Sequence, residues 1–306
     1  MSAYGNPCDG SEPCFIECPI CFVTVPFDLA VQTETDDGAR SNATCVALPE
    51  AGCLNDGECG IGEICVEAPR VCLPVPADPV LFVPIDNGFL GDAAGGHTVF
   101  MTDPRTASDR FGAGDDAADL FAAGASGLIT VPLAATEMTG AFTLALWVQL
   151  DAFGNFQNNN EQIAGVEGFF ALHSRSGNAD VRFGRLAGNS ELDPDQNVPR
   201  SPDFPLGADW TFLAGVVEDA GATFTATLYV DGVAVDSREL PAGVEVRSGS
   251  CHLAVGAKSE NGACNATALS DMQNPFPGNV DDIRLFDRAL SANEIFALSL
   301  ERGFAP

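Results

Sequence analysis

The chain has 306 residues, and a hydrophobic fraction of 46% is enough to build a substantial core. Its formal net charge is −29, from 43 acidic and 14 basic residues, which excludes the basic footprint of a nucleic-acid-binding protein and docking on anionic lipid. No apolar run approaches the ~18 residues that a membrane-spanning helix needs.

Nine of the eleven cysteines lie before residue 73. So dense a cluster in a segment with few apolar residues indicates a disulfide framework made in an oxidising compartment, and therefore a secreted or cell-surface protein. The start, MSAYGNPCDG, lacks the basic and apolar parts of a secretion signal. We therefore expect that a leader has been removed or that the native start lies upstream; such a leader would also allow lipid or surface anchoring.

Composition divides the chain into three parts. Residues 1–44 form a cysteine-containing segment that ends in a polar linker, TETDDGARSNAT, and residues 45–76 form a small disulfide-rich module. The portion 53–72 resembles the short cysteine-rich module akin to the Dickkopf amino-terminal region. The third part, 77–306, follows a proline-rich junction and carries repeated short β patterns with Gly, Pro and Asn between them, which predicts a β-sandwich domain.

Five segments of this third part have the clearest strand patterns: 143–150, 169–174, 180–186, 211–218 and 223–230. The last of these continues across Asp231-Gly232 into a second alternating run, which predicts a hairpin with a type I′ turn. Near the C-terminus, Ser291 and Glu294 form a capping box, and Gly303 follows at the predicted end of a short helix. The predicted fold class is all-β.

Several stretches of 81–295 together resemble the laminin G-like, concanavalin A-like lectin/glucanase domains. They are LFVPIDNGFLGDAAGG, ASDRFGAGDDAADLFAAGASGLITVP, FTLALWVQL, DWTFLAGVV, TLYVDGVAVDS and PFPGNVDDIRLFDRALSANEI. The resemblance implies an antiparallel jelly-roll sandwich that binds glycans or proteins, often with calcium. It also implies that the first and last strands lie side by side.

The closing stretch places two aspartates at the head of the last strand. Strict alternation puts Ile283 and Leu285 in the core, so Asp281 is predicted to point inward while Val280 and Asp282 take the other face. An inward carboxylate needs partners. Either neighbouring backbone amides or a calcium ion shared with the loop at 86–92 would supply them.

Calcium takes six to eight oxygen ligands, many of them carboxylates. The residues whose oxygens suit such a site are Asp86, Asn87, Asp92 and Asp281. The sequence therefore predicts calcium as a cofactor. A separate prediction concerns Cys251 and Cys264, which flank the loop after Gly256 and are expected to form a disulfide that stabilises the protein by ~3 kcal/mol.

The hypothesis that the protein is a glycoside hydrolase can be tested by looking for the carboxyl pair that retaining glycosidases require. The glucanase branch takes this pair from an E-x-D-x-x-E strand, and the nearest match is 191–196, ELDPDQ. Gln196 replaces the second glutamate, and Pro194 removes a ladder hydrogen bond. The three histidines, His97, His173 and His252, have no metal-ligand spacing. The protein is therefore predicted not to be an enzyme.

The loop at 151–162, DAFGNFQNNNEQ, combines aromatic rings with amide and acidic groups and is the most ligand-like stretch. Its candidate ligand-binding residues are Phe153, Phe156, Gln157, Asn158, Asn159 and Glu161. A solvated loop is the alternative. Trp147 and Trp210 lie in strand patterns and are predicted to be core residues. The predicted function is non-catalytic recognition of a glycan or an extracellular protein; the alternatives are a glycoside hydrolase and a structural, adhesive surface protein.

Overall fold

The computed structural model describes a defined part of the chain. The described residues are 59, 62–66, 71–86, 91–102, 105–120, 127–134, 137–138, 140–150, 162–166, 169–175, 180–185, 198–201, 206, 208–219, 223–241, 252–259, 272–273 and 275–301. They divide between two compact units, one within Met1–Pro76 together with Ala292–Glu301 and the other within Ala77–Ser291. No helix among the described residues is long and apolar enough to cross a membrane.

The first unit is a hairpin with a helix packed on it. Strands β1 (Glu63–Val66) and β2 (Val71–Pro74) pair antiparallel, and helix α1 (Ala292–Leu300) contacts both. A disulfide joins Cys59 to Cys72, whose Cα atoms are 5.5 Å apart. The helix begins directly after Ser291, as the capping box predicts. So small a unit buries few apolar residues, which is the situation in which crosslinks contribute most to stability.

The second unit is an antiparallel β-sandwich. Among the described residues its larger sheet has eight strands: β3 (Leu81–Val83), β5 (Arg105–Ala107), β6 (Ala117–Asp119), β8 (Phe142–Leu150), β12 (Thr211–Asp219), β13 (Thr223–Val230), β14 (Val233–Pro241) and β18 (Gly278–Phe286). The order across the sheet is β14-β13-β12-β8-β18-β6-β5, and β3 pairs with the second half of β18 beside β6. Eight strands in this arrangement give the jelly-roll sandwich that the sequence predicted.

The smaller sheet packs against the larger one. Its strands among the described residues are β4 (Phe100–Thr102), β7 (Leu128–Pro132), β9 (Gln162–Val166), β10 (Phe170–Arg175), β11 (Asp180–Arg185) and β15 (His252–Val255). They lie in the order β11-β10-β9-β15-β7-β4. Two short strands, β16 (Lys258–Ser259) and β17 (Met272–Gln273), pair separately. The strands that the sequence predicted in this domain are present with nearly the expected bounds.

Aromatic rings hold the two sheets together. Phe142 of the larger sheet meets Phe170 and Phe183 of the smaller sheet edge-to-face, with ring centroids 5.4 and 6.3 Å apart. Room for Phe183 comes from Gly215 in β12, where an added Cβ would lie 2.3 Å from the phenyl ring. The core is therefore continuous from one layer to the other, at the close packing typical of protein interiors.

Two local predictions are confirmed by the backbone. Asp231 and Gly232 have φ values of 48° and 79°, as a type I′ turn requires, and they join β13 to β14. The first and last strands of the sandwich lie side by side, with Leu81 opposite Leu285 and Val83 opposite Ile283. This pairing places the strand that leads to Asp86 beside the closing motif.

Candidate functional site

Strand β8 presents a polar and aromatic face away from the core. Its residues Phe142, Leu144, Leu146 and Val148 belong to the core cluster. Because side chains alternate along a strand, Trp147 and Gln149 take the outer face of the larger sheet, where both are half-buried. The prediction that Trp147 is a core residue is therefore wrong, although the alternation of this strand contains the signal that would have placed it correctly.

A β-bulge in β18 changes the predicted faces of the closing motif. The register with β8 shifts between Asp281, which lies opposite Trp147, and Arg284, which lies opposite Ala145. Asp282 occupies the extra position with a φ of 49°, in the left-handed region that aspartate tolerates better than most residues. The bulge interrupts the alternation, so Val280 joins Ile283 in the core cluster.

The predicted orientation of Asp281 needs correction for the same reason. It is buried, as the sequence predicted, but it lies on the outer face opposite Trp147 rather than on the core face with Ile283 and Leu285. Strict alternation fails because one bulge residue moves every later side chain to the opposite face.

Arg110 binds both aspartates of the motif. Its Nη1 donates to Asp281 Oδ2 and its Nη2 to Asp282 Oδ2, each at 2.8 Å. The side chains of Arg110, Asp281 and Asp282 are 5%, 4% and 6% exposed. The second oxygen of Asp281 accepts the backbone N–H of Asp282 at 2.8 Å. Arg284 lies beyond, with Nη2 3.9 Å from Asp282 Oδ1.

The balance of charge in this cluster shifts the ionisation of its acids. Burial, followed by the neighbouring charge of Asp282, raises the pKa of Asp281 to about 8, although Arg110 and the Asp282 amide act in the opposite direction. Burial also raises the pKa of Asp86, and the carboxylates of Asp282, Asp116 and Asp109 add to this effect. Several acidic side chains around Arg110 therefore lie close enough to interact electrostatically.

The guanidinium of Arg110 also organises two aromatic rings. Its Cζ lies 4.6 Å from the ring centroid of Phe111 and 4.7 Å from that of Trp147. These distances are within the range of cation–π attraction. Trp147 in turn meets Phe212 of β12 edge-to-face at 5.4 Å. Phe111 nevertheless remains 51% exposed, so one of its surfaces is open to solvent.

An open cleft of about 370 Å³ lies over these rings. It is lined by Arg110, Phe111, Trp147, Gln149, Asp209 and Trp210, and we call it the aromatic cleft. The carboxamide of Gln149 is fixed at its floor: it accepts a hydrogen bond from Asn279 Nδ2 at 2.8 Å and donates one to the carbonyl of Ala208 at 2.6 Å. Trp210 is half-buried in the cleft wall, so its assignment to the core is also wrong.

Asp92, one of the predicted calcium ligands, accepts backbone amides with both of its carboxylate oxygens. Its Oδ1 accepts the amides of Phe82 and Ala94 at 3.0 and 2.9 Å, and its Oδ2 those of Gly96 and His97 at 2.9 and 2.8 Å. Burial opposes its ionisation, but the hydrogen bonds from Phe82, His97 and Gly96 outweigh burial and lower its pKa. Asp92 is therefore an anchor that ties the 92–97 turn to strand β3.

His97 extends this anchor to a second turn. Its Nδ1 lies 3.1 Å from Asp92 Oδ2, and its Nε2 lies 2.7 Å from Glu137 Oε1. The other oxygen of Glu137 accepts the amide of Ala134. No local pattern predicts these contacts, because Asp92 and Glu137 are far apart in sequence and only the folded chain brings them to one histidine.

The predicted calcium ligands have separate partners in this arrangement. Asp92 is bonded to amides and Asp281 to Arg110, and within the described residues no group of three or more His, Cys, Asp or Glu side chains could hold a metal ion. Asn87 lies outside the described residues. The fourth candidate, Asp86, lies close enough to Asp282, Asp116 and Asp109 for their carboxylates to raise its pKa. The calcium site stays a prediction.

Other predicted sites fall on residues that the structure does not describe. These are the six ligand-binding candidates of the 151–162 loop, the pair Cys251 and Cys264, and the 191–196 stretch. They stay predictions.

The fold is a jelly-roll β-sandwich, and the aromatic cleft lies on the outer face of its larger sheet. The chain belongs to the concanavalin A-like lectin/glucanases superfamily, because a laminin G-type family model of that description matches residues 123–296, more than half of the chain. The match does not reach the cysteine-rich segment, so the Dickkopf-like resemblance has no support from it. The comparison with curated proteins gives no match.

Solved structures with a similar fold include binding domains of botulinum neurotoxins. The botulinum neurotoxin serotype C1 binding domain has 13% identity and a TM-score of 0.51, covering 72% of this chain and 51% of that one. The serotype D/C binding domain has 14% identity and a TM-score of 0.52, with the same coverage. The serotype D ligand binding domain in complex with N-acetylneuraminic acid has 13% identity and a TM-score of 0.50, covering 72% and 50%. The chain thus spans about half the length of these structures, and identities this low show the fold alone.

Proposed function

We propose that the β-sandwich is a non-catalytic module that binds a carbohydrate in the aromatic cleft. The observation that carries the proposal is the meeting of Phe111, Trp147 and Trp210 with a fixed carboxamide and an exposed carboxylate in one open cleft. Ligand sites typically combine apolar and aromatic walls with a few placed polar groups. The C–H face of a sugar ring suits the aromatic surfaces, and its hydroxyls suit Gln149 and Asp209.

The environment of the rings supports this proposal. Exposing an aromatic ring to water as far as Phe111 is exposed is unfavourable, and a bound partner would cover it. The guanidinium of Arg110 packs against the ring of Phe111 and holds it in place. A preorganised ring loses little entropy on binding. Lectins are named in the description of the family, and one solved structure of similar fold holds N-acetylneuraminic acid. Both facts favour a glycan as the ligand.

The arrangement of the buried acids favours binding of a carbohydrate without its hydrolysis. The two buried acids beside the cleft, Asp281 and Asp282, share the guanidinium of Arg110 instead of standing apart on either side of a scissile bond. Incubation with a panel of polysaccharides and a reducing-end assay tests this point. Release of new reducing ends by the purified protein would establish a glycoside hydrolase instead.

The proposal includes an extracellular setting. The disulfide between Cys59 and Cys72 supports it, because such bonds persist in oxidising compartments and are rare in the cytosol. Alkylation of the protein isolated from its source, without reductant, should leave both cysteines unlabelled. Labelling of both would place the protein in a reducing compartment.

Removal of the exposed ring is the direct test of the cleft. Phe111→Ala should weaken retention on a glycan array at least about tenfold, because truncating a central aromatic anchor commonly costs ~2 kcal/mol. Trp210→Ala should act in the same direction. Melting curves should show that Phe111→Ala leaves the fold intact, since half of this side chain is already in water.

Phe100→Ala provides the matched control. Phe100 is 45% exposed and lies on β4 of the other sheet, so its removal changes surface hydrophobicity equally without touching the cleft. It should leave glycan retention unchanged. Equal retention by wild type and Phe111→Ala would remove the cleft from the proposal, and absence of retention of any glycan would favour a protein partner or a structural role.

A further inference from the structure

We infer that the aromatic cleft selects uncharged glycans and rejects acidic sugars, with Asp209 as the residue that determines this specificity. The inference rests on the proposed function and names the ligand class of the same cleft. It depends on which charges along the cleft can reach a ligand.

Arg110 is the one cation among the described residues that line the cleft, and it is not available to an anionic sugar. Both of its terminal nitrogens donate to buried carboxylates at 2.8 Å, and its side chain is 5% exposed. The rings of Phe111 and Trp147 also lie against the guanidinium, with centroids 4.6 and 4.7 Å from its Cζ. A sugar carboxylate would have to displace Asp281 or Asp282 to reach it, which would break a hydrogen bond inside a buried cluster and leave a buried polar group without its partner.

Asp209 is the charge that does face the ligand. It lines the cleft directly before Trp210 and is exposed, so a ligand in the cleft can reach its side chain. A carboxylate accepts hydrogen bonds from sugar hydroxyls but repels a second carboxylate at close range. The net charge of −29 adds repulsion at long range, but physiological salt screens that contribution beyond about 8 Å. Discrimination at moderate salt is therefore local and belongs to Asp209.

The test compares pairs of glycans that differ only in a terminal sialic acid, at about 0.15 M and about 0.5 M NaCl. The proteins are wild type, Asp209→Asn, Glu239→Gln and Phe111→Ala. Glu239 is an exposed acid on β14 outside the cleft, so Glu239→Gln removes the same charge elsewhere. Wild type should retain the neutral member of each pair at least about tenfold more strongly than its sialylated partner. Asp209→Asn should reduce this ratio at least about threefold, whereas Glu239→Gln should leave it unchanged.

The outcomes separate this inference from the proposed function. Equal or stronger retention of sialylated glycans by wild type, with loss of retention in Phe111→Ala, would overturn the inference and leave glycan binding in place. The same ratio in Asp209→Asn as in wild type would overturn the role of Asp209. Failure of wild type to retain any member of any pair would overturn the proposed function, and the inference with it.

Discussion

One guanidinium held between two buried carboxylates leaves a charge imbalance at the centre of the outer sheet face. Arg110 carries one positive charge between Asp281 and Asp282, and Nη2 of Arg284 lies farther away, 3.9 Å from Asp282 Oδ1. Burial makes each uncompensated charge costly. Protonation of Asp281 relieves the cost, which is the physical meaning of its raised pKa.

Stability should therefore fall as pH rises. The pKa of Asp281 increases from 3.8 unfolded to about 8 folded, so its contribution is complete below the unfolded value and is lost as pH rises through the folded value. Between pH 5 and 8 the free energy of unfolding should decrease, with a slope of at most about 1.4 kcal/mol per pH unit from this group. Asp281→Asn, which mimics the protonated acid, should flatten the profile measured by urea denaturation.

Asp92→Asn is the control for that profile. The pKa of Asp92 is lowered by its amide hydrogen bonds, so this group stays ionised across the same range. Its substitution should lower stability throughout the range from pH 5 to 8, because charge-assisted hydrogen bonds from backbone amides are lost, and it should leave the downward slope that comes from Asp281 in place. Parallel profiles for wild type and Asp281→Asn would contradict the proposed ionisation of Asp281.

The contacts between Arg110 and the aspartate pair could not be predicted from the sequence. Arg110 and the aspartate pair both lie in stretches that carry the family resemblance, but 171 positions separate Arg110 from Asp281. Alternation predicted an inward Asp281, with either backbone amides or a calcium ion as its partner. The guanidinium that binds it, and the left-handed backbone at Asp282, depend on the folded neighbourhood, and no local pattern specifies them.

Strands and turns could be predicted from the sequence much more completely than these side-chain contacts. The hairpin at Asp231-Gly232, the bounds of β8 and β12 and the pairing of the terminal strands follow from alternation, turn chemistry and the family resemblance. The aromatic cleft could not be predicted from the sequence, because Trp147 lies within β8 whereas Trp210 directly precedes β12. An aromatic residue in a strand pattern fits a core or an outer face equally well until the register is known.

Sheet-to-sheet packing gives a prediction at the level of the elements. Gly215→Ala should lower the free energy of unfolding by ~1–3 kcal/mol, because its methyl group would overlap the ring of Phe183 at 2.3 Å in a close-packed core. Chemical denaturation measures the change. The double variant with Phe183→Leu should lose less than the sum of the two single variants, since the smaller side chain relieves the overlap.

Gly114→Ala is the matched control for this packing effect. It makes the same chemical change at a glycine where an added Cβ would meet nothing within 4 Å. It should be close to neutral. Equal losses for the two alanine variants, or strict additivity with Phe183→Leu, would show that the contact between Gly215 and Phe183 does not limit the core.

The whole molecule carries far more negative than positive charge, and this should make its stability depend on salt. A net charge of −29 repels itself in the compact state, and that repulsion weakens as the Debye length falls from about 30 Å in 0.01 M salt to about 10 Å in 0.1 M. In chelator, the melting temperature should rise by a few degrees over this range. A flat or falling melting temperature would mean that the acidic groups are compensated by some other cation or contact.

The same titration separates diffuse screening from the calcium site that the sequence predicts. Once 0.1 M NaCl has screened the surface, about 1 mM calcium changes the ionic strength very little, so any further rise in melting temperature reports specific binding. Magnesium at equal concentration controls for divalent charge, because it demands tighter octahedral geometry. A rise with calcium alone would require oxygens beyond those of Asp92 and Asp281, whose lone pairs already face amides and Arg110. No rise with either ion would leave screening as the whole effect and remove the calcium prediction.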